Sequence, residues 1–350
     1  MDTFSHLTGL SVATLWMLIK VLIAFGFLMA LAPPLTWVER RGSAMIQDRI
    51  GPNRAALFGK WRVIGLLHAI ADGIKFFFKE DLVPPHATKG LYWLGPLLMF
   101  VPGLLGFAVI PFGRSVTSGG HTYHLSLLEP SNGMGMLYPM AIAALSVYGI
   151  LVSAWSSNNK WSILGGMRAS AQMVSYEIGM SLAVLAVFMA VGGYDPHQII
   201  ADQGARGWFA WRQPLGFLVF FTCMFAETNR LPFDFAEGES EIVAGFHTEY
   251  GSMKFALMGL AEYFHIITAS ALITTMFLGG WQVPFMPDAH WALTVASFLV
   301  KVLFLCWVFI WVRWTLPRFR YDQLMFMGWK VMLPLSMANL LLNAYWMRSH

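Results

Sequence analysis

Residues 171–192 read AQMVSYEIGMSLAVLAVFMAVG, an apolar run broken by one charge, Glu177. At 1.5 Å per residue a helix of this length crosses the ~30 Å hydrocarbon layer of a bilayer. The run is therefore a membrane span, and its lone carboxylate needs an explanation. Outward from it, comparable runs occur at about 12–38, 92–111, 134–154, 208–227, 254–279, 291–312 and 325–346. The chain as a whole is 57% hydrophobic and only 12% charged, about half the charge of an ordinary soluble domain. This pattern predicts an all-α integral membrane protein of about eight transmembrane helices, organised as a single membrane domain over residues 1–350. Trp and Phe are abundant, as expected where rings sit at headgroup level. Cys223 and Cys306 stand singly in apolar runs, which gives neither a disulfide framework nor a metal site.

The basic residues sort by side. The loops near 39–90, 155–170, 228–253 and 313–324 hold most of the Lys and Arg, whereas the opposite loops hold only Arg114, Arg206, Arg212 and Arg348. By the positive-inside rule the first set is cytoplasmic, and both termini are expected on the outer face. A pI near 9.1 then reflects contact with an anionic membrane surface rather than with nucleic acid. Asp2 in place of a basic segment, and the length of the first apolar run, speak against a cleavable signal peptide. The first cytoplasmic loop is too long for a plain connector. Residues 61–78 read as an amphipathic interfacial helix, with Val63, Leu67, Ile70, Ile74 and Phe77 on one face and His68, Asp72, Lys75 and Lys79 on another; Pro84 and Pro85 then stop it. No self-similar halves of the inverted-repeat kind are visible.

A charge at membrane depth costs roughly 2.5–3.5 kcal/mol even on a lenient scale, so each requires a partner, a cavity or a use. Lys20 and Lys301 are rationalised by a snorkelling stem or an ion pair. Glu177, Glu227 and Glu262 are harder to dismiss, because all three fall in the cytoplasmic half of their expected spans. Desolvation favours the neutral form of a carboxyl, so a glutamate held between protein walls and a few waters can carry or release a proton near neutral pH. Tyr176 and Tyr263, next to two of these glutamates, add hydroxyls that extend such a relay.

The cytoplasmic segment 228–253 packs Asp234, Glu237, Glu239, Glu241 and Glu249 among Phe233, Phe235 and Phe246. Three phenylalanines argue against a simple solvated acidic loop; they require cover, which a docked partner is expected to supply. The carboxylates then join the membrane glutamates in an acidic funnel with coupled protonation. At the end of the first span stands Glu39-Arg40-Arg41-Gly42, followed by Arg49-Ile-Gly-Pro-Asn53. Arginines at the mouth of an apolar cavity can hydrogen-bond the carbonyl of a lipid-soluble ligand, with Gly51 and Pro52 fixing the turn.

These segments, with Ala71-Asp-Gly-Ile-Lys75, Ser175-Tyr-Glu177, the stretch from Ala226 to Glu239 and Pro317-Arg-Phe-Arg-Tyr-Asp-Gln323, resemble one family across nearly the whole chain: the H subunit of bacterial complex I, the NADH-quinone oxidoreductase, whose mitochondrial counterpart is NADH dehydrogenase subunit 1. The resemblance implies a subunit in the bacterial inner membrane that joins the membrane arm to the peripheral arm and forms, with two peripheral subunits, a chamber for ubiquinone or menaquinone. It implies no cofactor on this chain; FMN and iron–sulfur clusters belong to partner subunits. By the same analogy Glu39, Arg40, Arg41, Asp72, Lys75 and Arg313 line or guard the chamber. Glu177, Glu227, Asp234, Glu237, Glu239, Glu262 and Tyr263 form an acidic path toward proton-pumping subunits. Two rival readings stand beside it. One is the membrane anchor of an energy-converting hydrogenase, against which the Glu-Arg-Arg and Arg-Ile-Gly-Pro-Asn segments weigh. The other is an autonomous cation or proton transporter, disfavoured by the lack of repeats.

Overall fold

The computed structural model describes residues 12–56, 63–118, 121–123, 125–128, 135–284, 286 and 289–349. The architecture is all-α apart from one small hairpin. In chain order the helices are α1 (Val12–Ile46), α2 (Leu67–Phe78), α3 (Lys89–Leu105), α4 (Leu137–Ser156), α5 (Lys160–Val191), α6 (Pro196–Arg206), α7 (Pro214–Glu227), α8 (Ser252–Phe277), α9 (Trp291–Thr315), α10 (Tyr321–Phe326) and α11 (Leu333–Ser349). Between α3 and α4 the strands β1 (Val116–Ser118) and β2 (His121–Tyr123) pair antiparallel. A π-helical turn, Met327–Met332, joins α10 to α11 into one course. Six of these helical stretches are long and apolar enough to cross a membrane, and α3 and α7 are shorter apolar helices. Each of the eight expected spans thus coincides with an apolar helix, which gives a multi-pass membrane protein.

Three boundaries differ for local reasons. α5 starts at Lys160, where Asn159 caps its first turn by accepting from the Trp161 amide. Glu177 therefore sits near the middle of a 32-residue helix rather than in one end of it. The fifth apolar run begins with a separate turn, Phe209–Arg212, and α7 starts only at Pro214, whose missing amide suits a first helical position. Of the expected interfacial helix, Trp61 and Arg62 lie outside the described residues. Val63–Gly65 forms a 3₁₀ turn with Val63 and Ile64 in the left-handed region, and the α-helix starts at Leu67.

α5 is central, packing on α4, α7 and α11, while α3 lies between α4 and α8 and α9 closes on α1 and α8. Phe220, Phe225, Phe277 and Phe309 stack where α7, α8 and α9 meet. The segment after α7 lies against α5 at a contact only glycines permit. A Cβ on Gly165 would fall 2.7 Å from Gly245 Cα, and Gly245, at φ +55, would place its own Cβ inside the Ala236 carbonyl.

Candidate functional site

α1 continues past Pro33 and Pro34 and carries Glu39 into the interior, where the side chain is only 6% exposed. Its carboxylate accepts from Arg230 Nη1 through both oxygens at 3.1 Å and from Tyr263 Oη at 2.6 Å, and it pairs with Arg313 of α9. The second guanidinium nitrogen of Arg230 lies 3.2 Å from Glu262 on α8. One buried cation therefore bridges carboxylates from two helices, with the Tyr263 ring 4.9 Å beneath it. Burial works against the charge on Arg230, but Glu39 and Glu262 outweigh it and raise its pKa further.

Glu262 leads to the segment after α7. Glu237 and Glu262 face each other closely enough for their protonation to be coupled. His247 Nδ1 stands 3.2 Å from Glu237. Burial pushes Glu237 up, yet the hydrogen bond and charge of His247 override it and hold the carboxyl well below its usual range. The neighbouring Asp234 goes the other way: burial first, then the Glu237 charge, raise it to about 7, against the pull of Arg318. Donor atoms of Glu237, His247 and Glu262 lie within 4.8 Å of one another. That spacing suits a cation, but the Arg230 guanidinium and the imidazole already occupy the electropositive positions beside both carboxylates.

A second pair lies along α5 and α7. Glu227 is buried with neither oxygen hydrogen-bonded among the described residues, Glu177 Oε1 is likewise unpartnered, and the two feel each other's charge. Nearby, the Gln172 amide donates to the Ala226 carbonyl and to Asn229, fixing the end of α7 to α5. Tyr176 donates to the Leu324 carbonyl and Trp329 to Ser175 Oγ, so the π-helical course packs on the same stretch.

The remaining expected residues separate. Arg40 turns outward to Asp72 at 2.6 Å, and Lys75 completes that exposed trio at 3.1 Å. Despite partial burial, the hydrogen bonds of Lys75 and Arg40 lower the Asp72 pKa. Arg41 points a third way, into a groove between α1 and α9. Of Glu239 only the backbone, opening the turn Glu239–Ile242, is described; its side chain lies outside the described residues.

Two expectations are corrected. Phe233, Phe235 and Phe246 are buried by this chain itself, with Phe233 between Tyr176 and Phe319 and Phe235 against Tyr321 and the Arg318 guanidinium, so no partner is needed to cover them. Lys301 neither snorkels nor forms an ion pair among the described residues: its ammonium donates to the carbonyls of Leu278, Gly280 and Gln282 over the Trp208 ring. Sequence alone does not single out Arg230 or His247. Arg230 stands three residues after Glu227 but counts equally well as an orientation charge at a span end, and a lone histidine in a loop carries no signal at all.

Comparison with known proteins gives a consistent result. A family profile described as NADH dehydrogenase matches residues 18–344. The chain is 45% identical over 337 residues to the NADH-quinone oxidoreductase H subunit numbered 2 of Geobacter metallireducens, covering 93% of this chain and 94% of that protein. It is 46% identical over 331 residues to the NADH-quinone oxidoreductase H subunit of Leptospira biflexa, covering 90% of each. The corresponding Cytophaga hutchinsonii protein, the H subunit numbered 1, shares 42% over 331 residues, 93% of this chain and 94% of the other.

Proposed function

The chain belongs to the NADH dehydrogenase family, and from that premise we propose that this membrane subunit of an NADH-quinone oxidoreductase forms part of the quinone chamber and couples quinone reduction to proton translocation. It works with the other subunits of that complex, in the bacterial inner membrane and with both termini on the periplasmic side. FMN and iron–sulfur clusters reside in partner subunits, and this chain contributes no redox group. The quinone, ubiquinone or menaquinone, is a substrate whose head approaches from the cytoplasmic end of α1.

The observation that carries the reading is the continuity of charge from Glu39 through Arg230 to Glu262, Glu237 and Asp234. Reduction of a quinone adds negative charge or withdraws protons. A change of that kind near Glu39 or Arg313 alters the field on Arg230. Arg230 then divides its contacts differently between Glu39 and Glu262, and the coupled protonation of Glu262 and Glu237 shifts in response. Glu227, buried with neither oxygen partnered among the described residues, and the half-buried Glu177 are groups to which a proton moves next, since a buried carboxylate with no counter-charge is stable only when neutral or transiently charged. Arg40, Asp72 and Lys75 form the rim of the chamber, and Tyr263 relays a proton to or from Glu39.

Glu227→Gln and Glu237→Gln are expected to cut quinone reductase activity and proton pumping by more than about ten-fold. NADH oxidation by an artificial acceptor, which bypasses this subunit, stays at the parental rate. Parental quinone turnover in both variants would overturn the proposal.

A further inference from the structure

The groove that receives Arg41 is separate from the buried cluster. α1 contributes Trp37, Arg41 and Met45 at i, i+4 and i+8, and α9 contributes Trp307, Trp311 and Trp314 along one stripe. The space between them is about 230 Å³. The ionic contact between Glu39 and Arg313 levels the ends of the two helices at the same depth. Gly42 forms part of the floor, and a Cβ built there meets nothing within 4 Å. Trp311 is 47% exposed, Trp307 43% and Met45 73%, so the groove is open along its flank in this chain. Arg41 is half-buried in this apolar wall and has no carboxylate or hydrogen-bond acceptor among the described residues, unlike Arg40 and Arg313 beside it.

We propose that this groove is a binding site for one anionic membrane phospholipid. A guanidinium half removed from water needs an anion, and at the interfacial end of a span the anion at hand is a lipid phosphate. Tryptophans stepping from the headgroup level into the hydrocarbon supply the wall for an acyl chain. The gap over Gly42 supplies the room, and the lateral opening admits a molecule that diffuses in the plane of the membrane. The α1–α9 face therefore selects lipid by headgroup charge, while the redox substrate is handled on the other side of α1.

The test uses the assembled enzyme in nanodiscs and a phosphatidylglycerol carrying a photoactivatable acyl chain. Labelling is expected on peptides spanning 37–46 and 307–314, displaced by unlabelled phosphatidylglycerol and at least five-fold less effectively by phosphatidylcholine. Five-fold corresponds to the ~1 kcal/mol that one arginine near an anionic surface contributes. R41Q is expected to erase the headgroup preference while leaving residual labelling, R41K to retain it, and G42L to exclude the chain and abolish labelling with Arg41 in place. If R41Q does not assemble, the wild-type competition together with G42L still decides. Equal displacement by both lipids, absence of label from these peptides, or displacement by a short-chain quinone instead of lipid would each overturn the site.

Discussion

Arg230 answers to two carboxylates at once, and its planar fork is what makes that possible, since a lysine presents a compact charge without fixed divergent donors. Replacing it with glutamine leaves Glu39 with Arg313 alone and leaves Glu262 with no cation. Breaking a buried pair in this way costs about 3–5 kcal/mol. Thermal unfolding of the assembled enzyme is expected to shift down for R230Q. Adding E262Q, which removes the orphaned charge, is expected to restore part of the loss. A double-mutant cycle with zero coupling would rule out the bridge. In this cluster only Glu262 stands out in the sequence as a lone Glu in an apolar run; Asp234 and Glu237 enter through the acidic segment and Glu39 through the resemblance. Of their cations, Arg313 enters only through the resemblance and Arg230 is not singled out at all. Arg230 and Arg313 stand at the ends of spans, where a basic residue already has a reason to be, and nothing local distinguishes a partner from an orientation signal.

At the scale of elements, the segment between α7 and α8 is held by close glycine contact and by three buried phenylalanines, with Asp234 half-buried among them. Asp234 carries a pH dependence whose sign is fixed. Its protonated form is favoured in the folded segment up to about pH 7, against a usual carboxylate near 3.8, so the folded state binds more protons than the unfolded one between those values. Stability of the segment therefore falls as pH rises through that window and levels off above it. Limited proteolysis between residues 230 and 250 is expected to accelerate from pH 5 to pH 8 in the parent. Asp234→Asn, which cannot ionise, should flatten that profile. Helix ends show the same division of what sequence can say. The apolar runs located every span, but the capped extension of α5 to Lys160 rests on Asn159, a common residue whose capping role depends on the turn it enters. Its consequence is large, since it moves Glu177 to mid-helix.

At the scale of the molecule, the phenylalanines of the acidic segment announced that they needed cover, but not from where. Cover is a nonlocal property: Phe319 and Tyr321, which cover Phe233 and Phe235, each lie 86 residues further along the chain. The same is true of Glu39, Arg40 and Arg41, consecutive in sequence yet turned by the helix toward an interior cluster, an ion-paired trio with Asp72 and Lys75, and the groove between α1 and α9. Because the segment's apolar side is closed by its own chain, amide hydrogen exchange between residues 233 and 249 is expected to be slow in the subunit purified alone, and to change by less than about three-fold on joining the complex. Fast exchange that slows only on assembly would assign the cover to a neighbour.

That self-sufficiency bears on biogenesis. A newly inserted chain that has already sheathed the phenylalanines of this segment offers chaperones and proteases little to seize there, and can wait in the membrane for the other subunits. Docking then joins two finished parts, and the order in which they mature becomes a matter of supply rather than of folding.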